Sequence, residues 1–376
     1  MTDRGSGAAK APTGRRSGYL PSLDGWRALA IFWVILAHDQ LRLSPYWHRL
    51  LSETGDRGVS LFFALSGLLI CGRLLREESE AGFISLKGFY LRRIFRIQPA
   101  ALTYLAFIAL LTLLHLIPAF WKGFLGAVLM IRNLWPGEQG YEYWFTSHFW
   151  SLSVEEHFYL LLPAFLVMVR RGRLAILSVL VVLLEVWRLF VFRHPPLTHI
   201  TWQPFLRTDM AIDVIVLGSI AALAINKPRV QAWAVRWLDP GVALLVTAAI
   251  YLRLQVHHST YDHIPLIATY PLLLVSTILH PRSLVTRLLE LPPLRYIGRI
   301  SFSLYLWQQF FFVPVNPPGP GDWRWHHFLC WAGLFICAVL SYHFIETPLI
   351  RIGHRVAMRY TRAPSEAQRP EPPSAL

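Results

Sequence analysis

Cysteine and acidic side chains are what this chain has little of. Its 376 residues hold three cysteines, Cys71, Cys330 and Cys337, all in or beside apolar stretches and at unpaired-looking spacings. Neither a disulfide framework nor a zinc site is expected from them. Charged residues make up only 15% of the chain against 54% hydrophobic, and the mean hydropathy is +0.41, which excludes an ordinary soluble enzyme. No internal repeat is evident, and no polar stretch is long enough to hold a core of its own. The N-terminal residues have no short apolar core followed by a cleavage site, so a cleaved signal peptide is not expected.

What the chain has in abundance is apolar segments of membrane-crossing length. Ten approach it, at about 24–42, 57–75, 97–117, 149–169, 173–192, 209–226, 238–254, 264–281, 298–315 and 326–345. An eleventh run, about 121–133, is too short, carries Lys122 and Arg132, and reads as interfacial or re-entrant. Charge supports leaving it out of the count. Arg15 and Arg16, the cluster from Arg73 to Arg93, Arg170 to Arg173, Lys227 to Arg236, Arg282 to Arg295, and Arg351 with Arg355 then all fall on one side, the cytoplasmic one. The expected fold class is an all-α bundle of about ten transmembrane helices with both termini cytoplasmic. Residues 1–22 read as a disordered arm, 23–350 as the membrane domain and 351–376 as a disordered tail. The formal net charge of +14 is then mostly positive-inside bias, and no nucleic-acid partner is expected.

Arg27 and His38 share the first apolar stretch. Eleven residues at about 100° each return to nearly the same helical face, roughly 16.5 Å further along the axis. Ionisable side chains at such positions usually mark function, since an imidazole can take a proton from an alcohol and an arginine can hold an anion. The alternative is an interfacial, snorkelling Arg27 and a His38 that only hydrogen-bonds a neighbouring helix.

Six local motifs follow one another along the chain: LDGWRALAIFWVILAH at 23–38, GVSLFFALSGLLI at 58–70, FYLRRIFRIQP at 89–99, HFWSLSVEEHFYLLLP at 148–163, ISFSLYLW at 300–307 and FIETP at 344–348. In type and order they resemble acyltransferase family three, over about 24–348. The resemblance implies an integral-membrane O-acyltransferase that moves an acyl group, usually acetyl from acetyl-CoA, to a hydroxyl of a sugar, a lipid-linked glycan or a glycosylated natural product such as a macrolide. Acyl-CoA would be a co-substrate, with no tightly bound cofactor or metal. Some members carry a fused SGNH-type hydrolase domain, and this chain resembles the stand-alone form. A bacterial cytoplasmic membrane is the expected location. The sequence departs from the family pattern at Ser60, where Asp is common, at His157, where Gln is usual, and at Gln308, where His commonly follows Leu-Tyr-Leu-Trp.

Residue chemistry assigns roles beside this resemblance. Acyl transfer to an alcohol needs a base for the hydroxyl, a site for the thioester with its phosphates, and donors for the developing oxyanion. His38 is the expected base, or alternatively a transiently acylated nucleophile. Arg93 and Arg96, three apart on one helix, suit coenzyme A phosphates, although a positive-inside anchor also explains basic residues there. Ser151, Glu155 and Tyr159 share one helical face, Ser153 and His157 another. Glu155 is the expected second catalytic residue, orienting His38 or Arg27 or binding the acceptor, unless it only complements a helix dipole. Asn133 and His148, polar positions that recur in family members, are candidate acceptor contacts within an aromatic segment, and Ser151 and Ser153 are candidate substrate contacts. The resemblance implies an Arg-x-Asp followed five residues later by Gly, which is split here: Arg207-Thr-Asp209 supplies the first part and Asp213 to Gly218 the spacing, and a purely structural ion pair is the competing reading of Asp213. Glu346 reads as a structural partner for a cytoplasmic arginine. A membrane transporter is the rival class, because intramembrane Arg, His, Glu and Asp also mark ion pathways, but two similar halves with interrupted helices are not seen.

Overall fold

The computed structural model describes residues 19–39, 54–118, 120–134, 141–194, 206–257, 263–313 and 323–360. Among these residues the regular structure is helical throughout, with no strand. That follows from the solvent: a backbone in hydrocarbon must satisfy its own N–H and C=O groups, which a helix does within one segment. The order is α1 (Pro21–His38), α2 (Thr54–Ala81), α3 (Leu86–Leu113), α4 (Trp121–Val128), α5 (Tyr141–Ser147), α6 (Phe149–Met168), α7 (Arg173–Arg193), α8 (Thr208–Ala211) and α9 (Asp213–Ile225). It continues with α10 (Pro228–Trp237), α11 (Pro240–His257), α12 (His263–Leu279), α13 (Leu284–Leu289), α14 (Pro292–Arg299), α15 (Ser301–Phe311), α16 (Trp323–Ser341), a π-helical turn (Tyr342–Glu346) and α17 (Thr347–Met358).

A helix stands at each of the ten apolar stretches, but they are not ten equal spans. Among the described residues five helices are long and apolar enough to cross a membrane: Thr54–Ala81, Leu86–Leu113, Tyr143–Met168, Arg173–Arg193 and Phe328–Met358. A sixth arises if Pro228–Trp237 and Pro240–Leu254, which meet at 78°, count as one broken span. The others fall short for visible reasons. α1 interrupts its 18 residues with Asp24, Arg27 and His38, α9 has 13 residues, and α15 has 11. The eight-residue α4 is too short to cross, in keeping with its reading as an interfacial piece. The tail expected from 351 onward is helical as far as Met358, with Gly353 packed against Phe95. Residues 1–18 and 361–376, which hold most of the expected arm and the rest of the tail, lie outside the described residues.

The outer helices are inverted relative to a soluble protein. α7 exposes Val179, Val182, Leu183 and Val186 while it buries Glu185 and Arg188. An apolar face with no protein partner and charges turned inward is the pattern of a lipid-facing helix. This is a multi-pass membrane protein. Inside, backbone contact replaces side-chain packing between α2 and α9: a methyl group on Gly67 would strike the Ile215 carbonyl, and one on Gly218 the Ala64 carbonyl. Small residues permit that approach where no hydrophobic force draws helices together. α1 packs on α2, α14 and α15, so its polar face is enclosed by the elements that form the site below.

Candidate active site

An open cavity, about 690 Å³ with its solvent-open mouth included, lies where α1, α2, α3, α6 and α15 meet. Three guanidinium-bearing side chains line it, Arg27 from α1 and Arg93 and Arg96 from α3, together with Ser66 of α2, Ser151 and Glu155 of α6, and Tyr305 of α15. Phe62, Phe63 and Phe302 make much of the remaining wall apolar.

The arginines differ in how they are held. Arg93 lies 3.4 Å from Glu155 and 3.9 Å from Glu156, and its guanidinium stacks 3.5 Å above the Tyr159 ring. Arg27 is held loosely by Asp24, one turn earlier on α1, at 3.5 Å. Arg96 is exposed, and among the described residues it has no hydrogen-bond or ion-pair partner; its accessible surface faces the cavity. Arg92, one residue before Arg93, turns away to pair with Glu77 at 2.8 Å. The 100° step of the helix thus separates an arginine that anchors the bundle from two that face the cavity.

Glu155 is the best satisfied carboxylate of the site. Its Oε1 accepts from Ser66 Oγ at 2.9 Å and its Oε2 from Tyr159 Oη at 2.7 Å, besides the Arg93 contact. The expected contact of Glu155 with His38 or Arg27 is not made; Arg93 takes that place. Ser151 Oγ lies 2.5 Å from Tyr305 Oη, which donates to the His148 carbonyl at 2.9 Å.

His38 does not line this cavity. It closes α1, with Nδ1 2.7 Å from the Val34 carbonyl, so that Nδ1 carries the proton and the other ring nitrogen is left to accept. Its ring meets the edge of Trp144, centroids 5.6 Å apart. Trp144 Nε1 donates to the Gln309 carbonyl at 2.7 Å, and the Gln309 side chain contacts His148. His38 and His148 therefore belong to a second polar cluster, joined to the arginine-lined cavity through Tyr305 and Ser151.

Three expected site residues lie elsewhere. Ser153 is fully buried, accepting from the Arg132 backbone N–H at 3.2 Å and donating to the Phe149 carbonyl at 2.8 Å. Asn133 donates to Thr208 Oγ1 at 2.7 Å, and His157 meets the same oxygen at 2.7 Å. Asp213 pairs with Arg188 at 2.7 Å, and Glu185 joins them at 3.2 Å from the same guanidinium. This buried group between α7 and α9 carries the structural reading of Asp213. Glu346, in the π-helical turn, accepts from Ser303 Oγ of α15. Ser66, Tyr159, Tyr305, Trp144 and Gln309 were not picked out as site residues, although the spacing had set Tyr159 on one face with Ser151 and Glu155. Gln308, where the resemblance expects His, is fully buried, and neither amide atom has a partner among the described residues. Among those residues no group of three or more His, Cys, Asp or Glu could hold a metal ion.

Comparison with known proteins converges on one class. A family model described as an acyltransferase domain matches residues 20–343. The chain is 30% identical over 360 residues to the O-acetyltransferase OatA of Staphylococcus aureus strain NCTC 8325 / PS 47, covering 90% of this chain and 58% of the relative. It is similar to the same degree to OatA of Staphylococcus aureus strain COL. The chain thus spans less than two thirds of the length of these relatives. No solved structure matches it.

Proposed function

Since the chain belongs to acyltransferase family three, by a match that covers residues 20–343, we propose that it is a membrane O-acetyltransferase moving an acetyl group from acetyl-CoA to a hydroxyl of a carbohydrate, a lipid-linked glycan or a glycosylated natural product. The observation that carries the donor half of this reading is that Arg96, Arg93 and Arg27 line one cavity. Three clustered cations, with Arg93 3.4 Å from Glu155, Arg27 3.5 Å from Asp24 and Arg96 without a close ion pair among the described residues, suit an anion. The guanidinium forks suit the phosphates of coenzyme A, which they hold in bidentate fashion. Glu155 keeps Arg93 in place for this task and offsets the mutual repulsion of the arginines.

In this reading His38 is the base. With Nδ1 held by the Val34 carbonyl, its other nitrogen takes the proton of the attacking hydroxyl as the oxygen adds to the thioester carbonyl, and the thiolate of CoA leaves. Transient acylation of His38 is the alternative order of events, distinguished by release of CoA before any acceptor is added. The donor enters from the arginine side and the acceptor from the Trp144 side. Ten spans with both termini cytoplasmic and Trp135 to His148 extracytoplasmic, in a bacterial cytoplasmic membrane, fit this division of labour and the distribution of basic residues. No resident cofactor and no nucleic acid is required.

The test is purified protein with acetyl-CoA and a panel of methyl glycosides. Free CoA should appear only with a productive acceptor, or in a burst of one equivalent for the covalent route, and mass spectrometry of the glycoside should show an added acetyl group. Absence of both from folded protein across the panel and with lipid-linked glycans would set the reading aside.

A further inference from the structure

We propose that Arg73 of α2 and His354 of α17 hold the 3′-phosphate of coenzyme A at the mouth of the arginine-lined cavity, so that the protein selects its donor by a group remote from the thioester. The proposal rests on the acetyl-CoA reading and names the part of the donor that this end of the site recognises.

Helical register puts Arg73 there. Phe62 and Ser66 of α2 line the cavity. Arg73 follows Ser66 by seven residues, which at about 100° each fall about 20° short of two full turns and advance about 10.5 Å along the axis. It therefore continues the cavity-facing stripe of α2 toward the segment that joins α2 to α3. Its side chain is exposed, and among the described residues it makes no hydrogen bond or close ion pair. Arg92 and Arg93 of α3 lie within electrostatic reach of it. Glu77, one turn on from Arg73, also acts on it but is committed to Arg92 at 2.8 Å and to the Ser85 backbone N–H at 3.0 Å.

His354 comes from the far end of the chain. α17 lies close along α3 at Gly353, where a methyl group would strike Phe95. Its end is tied down as well. Ser85 Oγ, which caps α3, donates to the Tyr360 carbonyl at 2.7 Å, and the Lys87 ammonium stands 4.0 Å from the centre of the Tyr360 ring. His354 follows Gly353 as Arg96 follows Phe95, and the charges of Arg73, Arg92 and Arg96 all act on its exposed ring. A positive-inside bias accounts for basic residues at this end of each helix, but not for their convergence from α2, α3 and α17 on one place beside a cavity. Like charges gathered in this way repel, and a bound anion relieves the repulsion.

The chemistry of the donor supplies that anion. Coenzyme A carries a diphosphate on the 5′ carbon of its ribose and a monoester on the 3′ carbon, a few ångströms away across the ring. With the diphosphate on Arg93 and Arg96, the 3′-monoester reaches outward to Arg73 and His354. A guanidinium takes two of its oxygens in bidentate fashion, and an imidazole N–H donates to the third. Donors that end at phosphopantetheine lack this group. A lipid head group also offers a phosphate, and the test separates the two sources.

The full chain in nanodiscs of zwitterionic lipid is assayed with acetyl-CoA and with acetyl-3′-dephospho-CoA. In the wild type the KM for acetyl-CoA should be at least about 10-fold lower than for the dephospho donor, the effect of one charge-assisted hydrogen bond. Arg73→Ala should raise the acetyl-CoA KM to about that of the dephospho donor and leave the dephospho KM where it is, which also reports that the variant is intact. His354→Ala should act in the same sense and more weakly. By direct titration, adenosine 3′,5′-bisphosphate should bind the wild type more tightly than 5′-AMP and bind Arg73→Ala no more tightly. Equal KM values for the two donors in the wild type, or a ratio unchanged in Arg73→Ala, overturn the proposal and leave acetyl transfer from coenzyme A standing. An effect of Arg73→Ala that appears only when anionic lipid is added makes the cluster a head-group site and overturns the proposal too. Transfer from neither donor overturns the acetyl-CoA reading, and the phosphate subsite falls with it.

Discussion

Glu155 and Arg93 are bound across the interface of α6 and α3, with 3.4 Å between carboxylate and guanidinium. Ser66 and Tyr159 complete the carboxylate's hydrogen bonds, and the Tyr159 ring supports the guanidinium from below. Removing one partner of such an enclosed pair costs more than the pair contributes, because the other charge is left in place. Glu155→Ala should therefore destabilise the protein by about 3–5 kcal/mol. The double variant Glu155→Ala/Arg93→Ala should lose less than the sum of the single changes. Strictly additive losses in thermal unfolding would show that the two do not act as a unit.

Arg96 and Arg92 should separate cleanly. Among the described residues Arg96 makes no hydrogen bond or close ion pair and lines the cavity, whereas Arg92 is committed to Glu77. Arg96→Ala should raise the acetyl-CoA KM about 10-fold or more with little change in stability, and Arg96→Lys should rescue poorly because an ammonium makes no fork. Arg92→Ala should leave the donor KM where it is. Equal effects of the two alanine variants on KM would make both membrane anchors.

The buried Asp213–Arg188–Glu185 group should behave as structure. Asp213→Ala removes the partner that lies 2.7 Å from Arg188, and it should lower stability by about 3–5 kcal/mol. The folded fraction should retain both KM values, measured after removal of aggregate. A selective change in acceptor KM would return Asp213 to the binding site.

His38→Ala should leave the protein folded and able to bind acetyl-CoA while lowering turnover by about 10²- to 10⁴-fold. Arg27→Ala should act on KM instead, since Arg27 lines the arginine-bearing cavity and His38 does not. Near-normal turnover in a well-folded His38→Ala protein would remove this histidine from the chemistry.

Much of this was legible in the sequence, and the parts that were not share a cause. Periodicity located the helices, and the 100° step placed Ser151, Glu155 and Tyr159 on one face, where the fold keeps them. The same step put Ser153 and His157 on another face but could not say what that face meets, and it meets Thr208 and the backbone of Arg132. Asp213 was readable as either site or structure because its partner Arg188 sits on a different helix, 25 residues away. The length of each span was harder to read for a related reason. Helices surrounded by other helices, such as α9 and α15, need not match the thickness of the hydrocarbon layer, and hydropathy alone does not separate them from full spans. Gln309 was missed because its contacts, Trp144 and His148, lie more than 160 residues away in the chain.

The most direct test of the central claim is the initial rate of CoA release against acetyl-CoA concentration, measured with a saturating glycoside acceptor for the wild type, Arg96→Ala and His38→Ala. The account predicts three distinct curves. The wild type saturates, Arg96→Ala reaches a similar plateau at about 10-fold or more higher donor concentration, and His38→Ala keeps the wild-type half-saturation with a plateau lower by about 10²-fold or more. Superimposable curves for the three proteins, or no acceptor-dependent release from any of them, would contradict it.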